Sequence, residues 1–198
     1  MRAALGFKTH TGWAAVVAIA GREVVAKRRI DLATDFRTGA VFHVGQELPL
    51  AQAQELISSS QARFEAKARD AIAALVEELR AAGCEVIGSG IVAGNPKPLP
   101  PLESVLKSHA LVHAAEGQLY RQVIATASEA CSIPAALVPA KALTSRAAQA
   151  MEISAPELTA RIAAMGKASG KPWAADQKES ALAALVALGK KPARRSHG

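Results

Sequence analysis

Two apolar stretches near the N-terminus, separated by a short polar segment, constrain this chain more than any other feature. The first stretch covers residues 3–7 and the second covers residues 13–20. Short apolar runs bounded by polar residues are typical of strands. The intervening sequence Lys8-Thr9-His10-Thr11-Gly12 predicts a tight turn with an opening about the size of a phosphate. The chain is therefore expected to begin with a strand, a polar turn and a second strand.

A change of periodicity divides the remaining chain into helices and further strands. Residues 23–30 extend the first two strands into an antiparallel meander, and residues 40–44 are interpreted as a short edge strand. Helical spacing of apolar residues then begins at residue 48. The expected order from there is a helix over 48–82, a strand over 84–92, a stiff proline-rich loop over 95–101, a helix over 102–132 with a break near Ser108, a strand over 135–139, and helices over 141–151, 155–165 and 174–188.

Length and charge indicate one folded domain followed by a basic tail. Of the 198 residues half are apolar, which is enough for the core of a single domain over 1–189. The last nine residues, 190–198, include Lys190, Lys191, Arg194 and Arg195 and cannot bury a core, so we expect a flexible tail. Without these four charges the net charge of +7 falls to about +3, which does not identify a partner.

The sequence also favours a cytoplasmic location. No apolar run approaches the roughly 20 residues of a membrane-spanning helix, and the first residues lead into a strand pattern instead of a signal peptide. We therefore expect no membrane association. The two cysteines, Cys84 and Cys131, are too few for a disulfide framework or a cysteine zinc site.

Four short motifs lie in the order that a known family uses. They are Gly6-Phe7-Lys8 with Thr11-Gly12-Trp13-Ala14, Ile91-Val92-Ala93-Gly94-Asn95, His113-Ala114-Ala115-Glu116-Gly117, and Asp176-Gln177-Lys178-Glu179 followed by an alanine-leucine run. With these motifs the chain resembles the RuvC-type Holliday-junction resolvases. The resemblance implies a ribonuclease H-like α/β fold with a mixed five-stranded sheet flanked by helices. It also implies DNA or RNA partners, branched or single-stranded, while a homodimer stays open.

At the positions that the implied metal chemistry requires, this chain carries different residues. Two Mg²⁺ or Mn²⁺ ions that clamp a phosphodiester need about four carboxylates. Lys8 replaces the aspartate of the first strand, and the sequence at 88–90 is Gly-Ser-Gly where a glutamate is expected. The candidate catalytic acids are Asp176 and Glu179, which share one helical face, together with Glu116. In the alternative interpretation, Asp176 and Glu179 only favour the dipole of their helix.

Lys8 at the end of a central strand needs a carboxylate, because an unpaired buried ammonium is too costly to retain. Glu116 is the first choice, since Gly117 lets its helix approach another backbone closely. Asp176 or Glu179 is the second choice. A pair of this kind predicts a structural pocket or an anion site.

A second group of polar residues follows one stripe of a predicted helix. His109, His113, Glu116 and Tyr120 occur at i, i+4, i+7 and i+11. Two histidines four residues apart with a carboxylate one turn later can bind zinc or a similar ion, which makes His109, His113 and Glu116 candidate metal ligands. The alternative is a polar helix face whose histidines bond to their neighbours.

Two classes of function remain open from the sequence. The first is a nucleic-acid-associated protein with a degenerate or absent two-metal nuclease site. The second is a non-enzymatic interaction protein or small-anion-binding protein, in which Lys8, Thr9, His10 and Thr11 hold the anion. The cofactor is accordingly either none or a divalent ion, Mg²⁺, Mn²⁺ or Zn²⁺. Salt-dependent binding to branched or single-stranded DNA separates the two classes.

Overall fold

The computed structural model describes residues 1–94 and 98–189. The expected stiff loop at 95–101 lies partly, and the expected tail at 190–198 entirely, outside the described residues. The strands are β1 (Arg2–His10), β2 (Trp13–Ala20), β3 (Glu23–Asp31), β4 (Glu85–Ala93) and β5 (Ala135–Pro139). The helices are α1 (Phe36–Gly39), α2 (Val41–Gly45), α3 (Leu50–Ala81), α4 (Leu102–Leu106), α5 (His109–Ala130), α6 (Leu143–Met151), α7 (Ala155–Ser169) and α8 (Ala175–Leu188). None of these helices combines the length and the apolarity needed to cross a bilayer.

The five strands form one mixed sheet in the order β3-β2-β1-β4-β5. The first three strands are antiparallel, whereas β4 runs parallel to β1 and β5 runs parallel to β4. The turn between β1 and β2 consists of Thr11 and Gly12, and His10 pairs with Trp13 across it. Gly12 has φ +83°, a conformation that side-chain-bearing residues seldom adopt. The predicted ribonuclease H-like α/β architecture, a mixed five-stranded sheet flanked by helices, is confirmed.

Helices cover both faces of this sheet and divide its core in two. Val16 packs in the cluster that α3 and α5 form with the sheet, together with Leu5 and Phe7. Val17 packs in the other cluster, which α6, α7 and α8 form on the opposite face. Neighbouring residues enter different clusters because side chains of a strand alternate between its two faces. Odd-numbered residues of β1 therefore face α5, and its even-numbered residues face α8.

Helix α8 lies directly on the backbone of two central strands. A Cβ atom added to Gly6 of β1 would stand 1.8 Å from the carbonyl oxygen of Ser180, and one added to Gly90 of β4 would stand 2.1 Å from that of Ala183. The Ser180 hydroxyl donates to the carbonyl oxygen of Ala15 at 3.3 Å. Because neither glycine carries a side chain, the first turns of α8 come within reach of the end of β1.

The segment expected to be an edge strand, residues 40–44, is helical instead, so that prediction was wrong. It forms most of α2, and the preceding helix α1 begins with a capping box between Asp35 and Thr38. Two side chains of α5 fix this segment: the Tyr120 hydroxyl donates to the carbonyl oxygen of Gly39 at 2.7 Å, and a Glu116 oxygen accepts from the backbone N–H of Phe42 at 3.1 Å. A short apolar run does not by itself distinguish helix from strand.

The boundaries predicted for the other helices and strands agree with the observed boundaries to within a few residues. The expected break near Ser108 is confirmed, because Ser108 ends the connection after α4 and caps α5 by accepting from the N–H of Leu111. The helix expected over 141–151 begins with a 3-10 turn, Ala140–Ala142, before α6.

The close packing of α8 gives a direct test of the fold. We expect Gly90→Ala to lower the free energy of unfolding by more than ~2 kcal/mol, because the new methyl group overlaps a helix backbone that cannot move without displacing the core. Gly94→Ala is the matched control, since a Cβ there meets no atom of the described residues within 4 Å. Urea denaturation measures both values, and equal stabilities for the two variants would contradict the packing described here.

Candidate functional site

Two contacts between a basic and an acidic side chain connect the end of β1 with the start of α8. Lys8 Nζ lies 2.6 Å from Glu179 Oε2, and His10 Nε2 lies 2.9 Å from Asp176 Oδ1. Both β1 residues are even-numbered and face α8, while the two acids stand three residues apart on one side of the helix. The side chains of Lys8 and Glu179 are 27% and 36% exposed, so this pair is partly shielded from water. The prediction of a carboxylate partner for Lys8 is confirmed.

The prediction that Glu116 is the first-choice partner of Lys8 was wrong. Glu116 belongs to α5, which packs on the opposite face of the sheet, and its side chain is buried with 2% exposure. It accepts from the N–H of Phe42, and one of its oxygens lies 3.0 Å from His43 Nδ1. Gly117 does not permit a close backbone contact either, because the atoms nearest to a Cβ there belong to the Arg121 guanidinium. The acids Asp176 and Glu179 therefore lie together, and Glu116 is separated from them by the sheet.

The residues at the end of β1 do not fit a pair of divalent metal ions. The two α8 carboxylates already contact the Lys8 ammonium and the His10 ring, and a metal would have to displace these groups. A third carboxylate from β4 is excluded at Gly90, since even a methyl group there overlaps the backbone of α8. Two-metal hydrolysis needs about four carboxylates around the ions. No step of that chemistry follows from this arrangement.

The four candidate anion-binding residues are adjacent in sequence but point in different directions. Lys8 and His10 share the α8 face of β1, whereas Thr9 alternates to the other face and Thr11 occupies the turn. Because Lys8 and His10 already contact acids, an anion at this point would compete with Glu179 and Asp176.

An aromatic and cationic layer adjoins the His10 pair. The ring of His10 stacks on that of Trp13 with centroids 4.2 Å apart and planes 11° apart. The Arg29 guanidinium lies 3.9 Å from the centroid of Trp13. A depression of about 670 Å³ opens beside this layer, and its lining includes Trp13, Arg29, Phe36 and Lys67. Trp13 belongs to the first sequence motif, but no binding role was predicted for it or for Arg29, Phe36 and Lys67. An aromatic residue directly after a polar turn is the signal that could have indicated one.

The predicted histidine stripe on α5 becomes a cluster of three histidines. His109 and His113 lie one turn apart with their Nε2 atoms 3.0 Å from each other. His43 of α2 joins them, so that one ring nitrogen from each residue lies within 4.8 Å of the others. Sequence reasoning missed His43 because residues 40–44 were interpreted as an edge strand.

Tyr120, the last residue of the stripe, has a structural contact. Burial and the nearby Glu116 charge raise the pKa of the Tyr120 hydroxyl above its usual range. The hydroxyl therefore stays protonated and donates to the Gly39 carbonyl oxygen.

Comparison with known proteins identifies the fold but no family. No protein-family model matches the chain, and no curated protein matches it in sequence. The structure is similar to RuvC of Thermus thermophilus in complex with a Holliday junction substrate, with a TM-score of 0.53 and 8% identity over 93% of this chain and 91% of that chain. A second structure, Thermus thermophilus RuvC, has a TM-score of 0.50 with the same identity and coverage. The chain thus has a RuvC-like, ribonuclease H-like fold.

A double-mutant cycle tests the pairing of Lys8. We expect Lys8→Met and Glu179→Gln to show a coupling energy of roughly 0.5–1 kcal/mol in urea denaturation at low salt, a modest value because the pair is about one-third exposed. The cycle of Lys8→Met with Glu116→Gln is the control and should be additive, since the sheet separates these residues. Coupling in the control cycle, or none in the first, would contradict the assignment.

Proposed function

We propose that this protein binds branched or single-stranded nucleic acid and does not hydrolyse it by a two-metal mechanism. The contact of both α8 carboxylates with basic side chains of β1, Lys8 and His10, carries this proposal. A carboxylate held against a basic side chain repels the phosphates of a nucleic acid less, and it has fewer free oxygens for Mg²⁺ or Mn²⁺. The same two contacts thus favour binding and disfavour cleavage at the end of β1.

The depression next to these pairs has the chemistry of a site for unpaired bases. Phe36 is 68% exposed, an unusual state for a large apolar ring, and it shares the depression with Trp13. Exposed aromatic rings provide stacking platforms for bases, while cations along the same groove bind the backbone. Arg29 and Lys67 supply those cations. Asp31 and Asp35 also line the depression, where Asp31 pairs with Arg29 and Asp35 caps α1. A phosphate would compete with Asp31 for Arg29, whereas Lys67 has no acid within ion-pair distance among the described residues.

The fold supports the same partner class. One structure with this fold was determined as RuvC in complex with a Holliday junction substrate. A branched junction has strand-exchange points at which bases can unstack, and these match an aromatic depression better than a continuous duplex does.

Binding is tested with fluorescent four-way junctions, single strands and duplexes at increasing salt. We expect the full chain to prefer the first two, with affinity that falls steeply as salt rises. Phe36→Ala should weaken single-strand binding about 5- to 100-fold, the loss expected for one stacked base. Arg29→Ala combined with Lys67→Ala should weaken it and also reduce the salt slope.

The control for this experiment removes two exposed cations elsewhere. Arg80 and Lys107 have side chains that are 67% and 71% exposed and lie outside the depression. Their double alanine variant should bind like the parent. Replacing Lys190, Lys191, Arg194 and Arg195 with alanine measures the contribution of the basic terminus.

Two outcomes would contradict the proposal. If Phe36→Ala and the Arg29/Lys67 variant bind like the parent, the depression is not the site. Absence of any binding at low salt favours the non-enzymatic interaction or anion-binding alternative.

The proposed lack of two-metal hydrolysis gives a separate prediction. The parent protein should not gain thermal stability from Mn²⁺ and should not cleave junctions, flaps or RNA–DNA hybrids. Lys8→Asp should gain Mn²⁺-dependent stability, because it removes the competing ammonium and adds a third carboxylate beside Asp176 and Glu179. Lys8→Asn is the control, as it removes the ammonium without adding a charge. Mn²⁺-dependent cleavage by the parent that Asp176→Asn abolishes would overturn this part of the proposal.

A further inference from the structure

The three histidines of α2 and α5 have the arrangement of a transition-metal site. His109 and His113 project from the same side of α5 and are both exposed, while His43 reaches them from α2 and is about one-fifth exposed. The His43 ring meets the other two edge to face, with centroid distances of 4.6 Å to His113 and 5.6 Å to His109. Three imidazoles therefore converge at one point of the surface, from two separate helices.

The distances are close to those that a bound ion would impose. Zinc–nitrogen bonds of about 2.0–2.1 Å in a tetrahedral site hold the ligand nitrogens about 3.3 Å apart. The Nε2 atoms of His109 and His113 are already 3.0 Å apart, and the widest separation in the cluster is within 4.8 Å. A contraction of about 1.5 Å at that widest pair is within the range of small rotations of exposed side chains.

Glu116 supplies the supporting contact that metal-binding histidines usually have. Its oxygen lies 3.0 Å from His43 Nδ1, which has no hydrogen-bond partner among the described residues. A small rotation of the ring would let Nδ1 donate to this carboxylate and leave Nε2 to bind an ion. A carboxylate behind a ligating histidine fixes the orientation of the ring and raises its basicity. Glu116 is itself held by the N–H of Phe42 and is almost fully buried. Among the described residues, His43 is the one basic side chain within 4.0 Å of this buried acid.

We propose that His43, His109 and His113 bind Zn²⁺, with Glu116 as the positioning residue behind His43. The fourth position faces solvent, because His109 and His113 are exposed, and water completes the tetrahedron there. Neutral imidazoles suit zinc and related transition metals far better than Mg²⁺, which prefers oxygen ligands. The ion would join α2 to α5 on the face of the sheet opposite the Lys8–Glu179 pair. The site is close to the depression, because the ring centroid of Phe36 lies 6.2 Å from that of His43.

The test is calorimetric titration of the full chain, expressed without a histidine tag and stripped with a chelator, with Zn²⁺ as the probe. We expect one ion per chain and a rise of several degrees in melting temperature at saturating Zn²⁺. His109→Ala and His113→Ala, at exposed positions, should weaken binding at least 100-fold and remove the thermal shift. Glu116→Gln should weaken it about 10- to 100-fold while Co²⁺ loaded into the site retains a tetrahedral spectrum.

His10→Asn is the matched control, because His10 belongs to the other face of the sheet and contacts Asp176 and Trp13. It should bind one Zn²⁺ with the affinity of the parent. His109→Ala also keeps the test valid if Glu116→Gln fails to fold. A parent that takes up no Zn²⁺ at micromolar concentration, or a His109→Ala variant that binds as the parent does, would overturn the site and leave the cluster a hydrogen-bonded polar surface.

Discussion

The direct contact between α8 and the backbone of β1 and β4 is the constraint on which the rest of the structure depends. At Gly6 and Gly90 no side chain separates helix from strand, and the nearest helix atoms are carbonyl oxygens of Ser180 and Ala183. A helix seated this closely has little freedom to slide or rotate, because any movement drives backbone atoms into each other. Its first turn is consequently held at the end of β1, where Lys8 and His10 meet their acids.

This seating also decides which chemistry the end of β1 can support. Gly90 lets α8 pack directly on β4, and for the same reason no carboxylate can project from that position of the strand. The acids of α8 remain, but each contacts a basic side chain of β1. Acids held against basic side chains connect the elements, whereas a cluster of unpaired acids attracts metal ions. The end of β1 therefore carries a different arrangement of polar groups from the one that the sequence resemblance implies, in keeping with the rule that a fold alone does not define a function.

The sheet keeps two polar clusters apart. The Lys8–Glu179 and His10–Asp176 pairs lie on its α8 face, and the three histidines with Glu116 lie on the side of α5. The two clusters share no residue. The effects of substitutions in one cluster and in the other on the free energy of unfolding should therefore be additive. One fold can thus hold both the Lys8–Glu179 and His10–Asp176 pairs and the histidine cluster.

Much of the architecture was predictable because its signals are local. The meander, the long helix α3, the buried strand β4 and the cap at Ser108 each follow from periodicity or from a single turn or cap residue within a few positions. The segment 40–44 was not predictable in this way. Its apolar residues suit either a strand or a helix, and contacts from Tyr120 and Glu116, more than 70 residues later, select the helix.

The sequence by itself determined the order of the elements, the presence of a lysine, Lys8, at the end of the first strand, and the spacing that aligns Asp176 with Glu179 and His109 with His113. Only the tertiary structure decided which of these groups meet. Period-2 alternation along β1 turns Lys8 toward α8, and Glu116 belongs to a helix on the other side, so the partner of Lys8 is Glu179. His43 likewise reaches His109 and His113 because long-range contacts set the position of α2, and no local pattern of residues encodes such a contact.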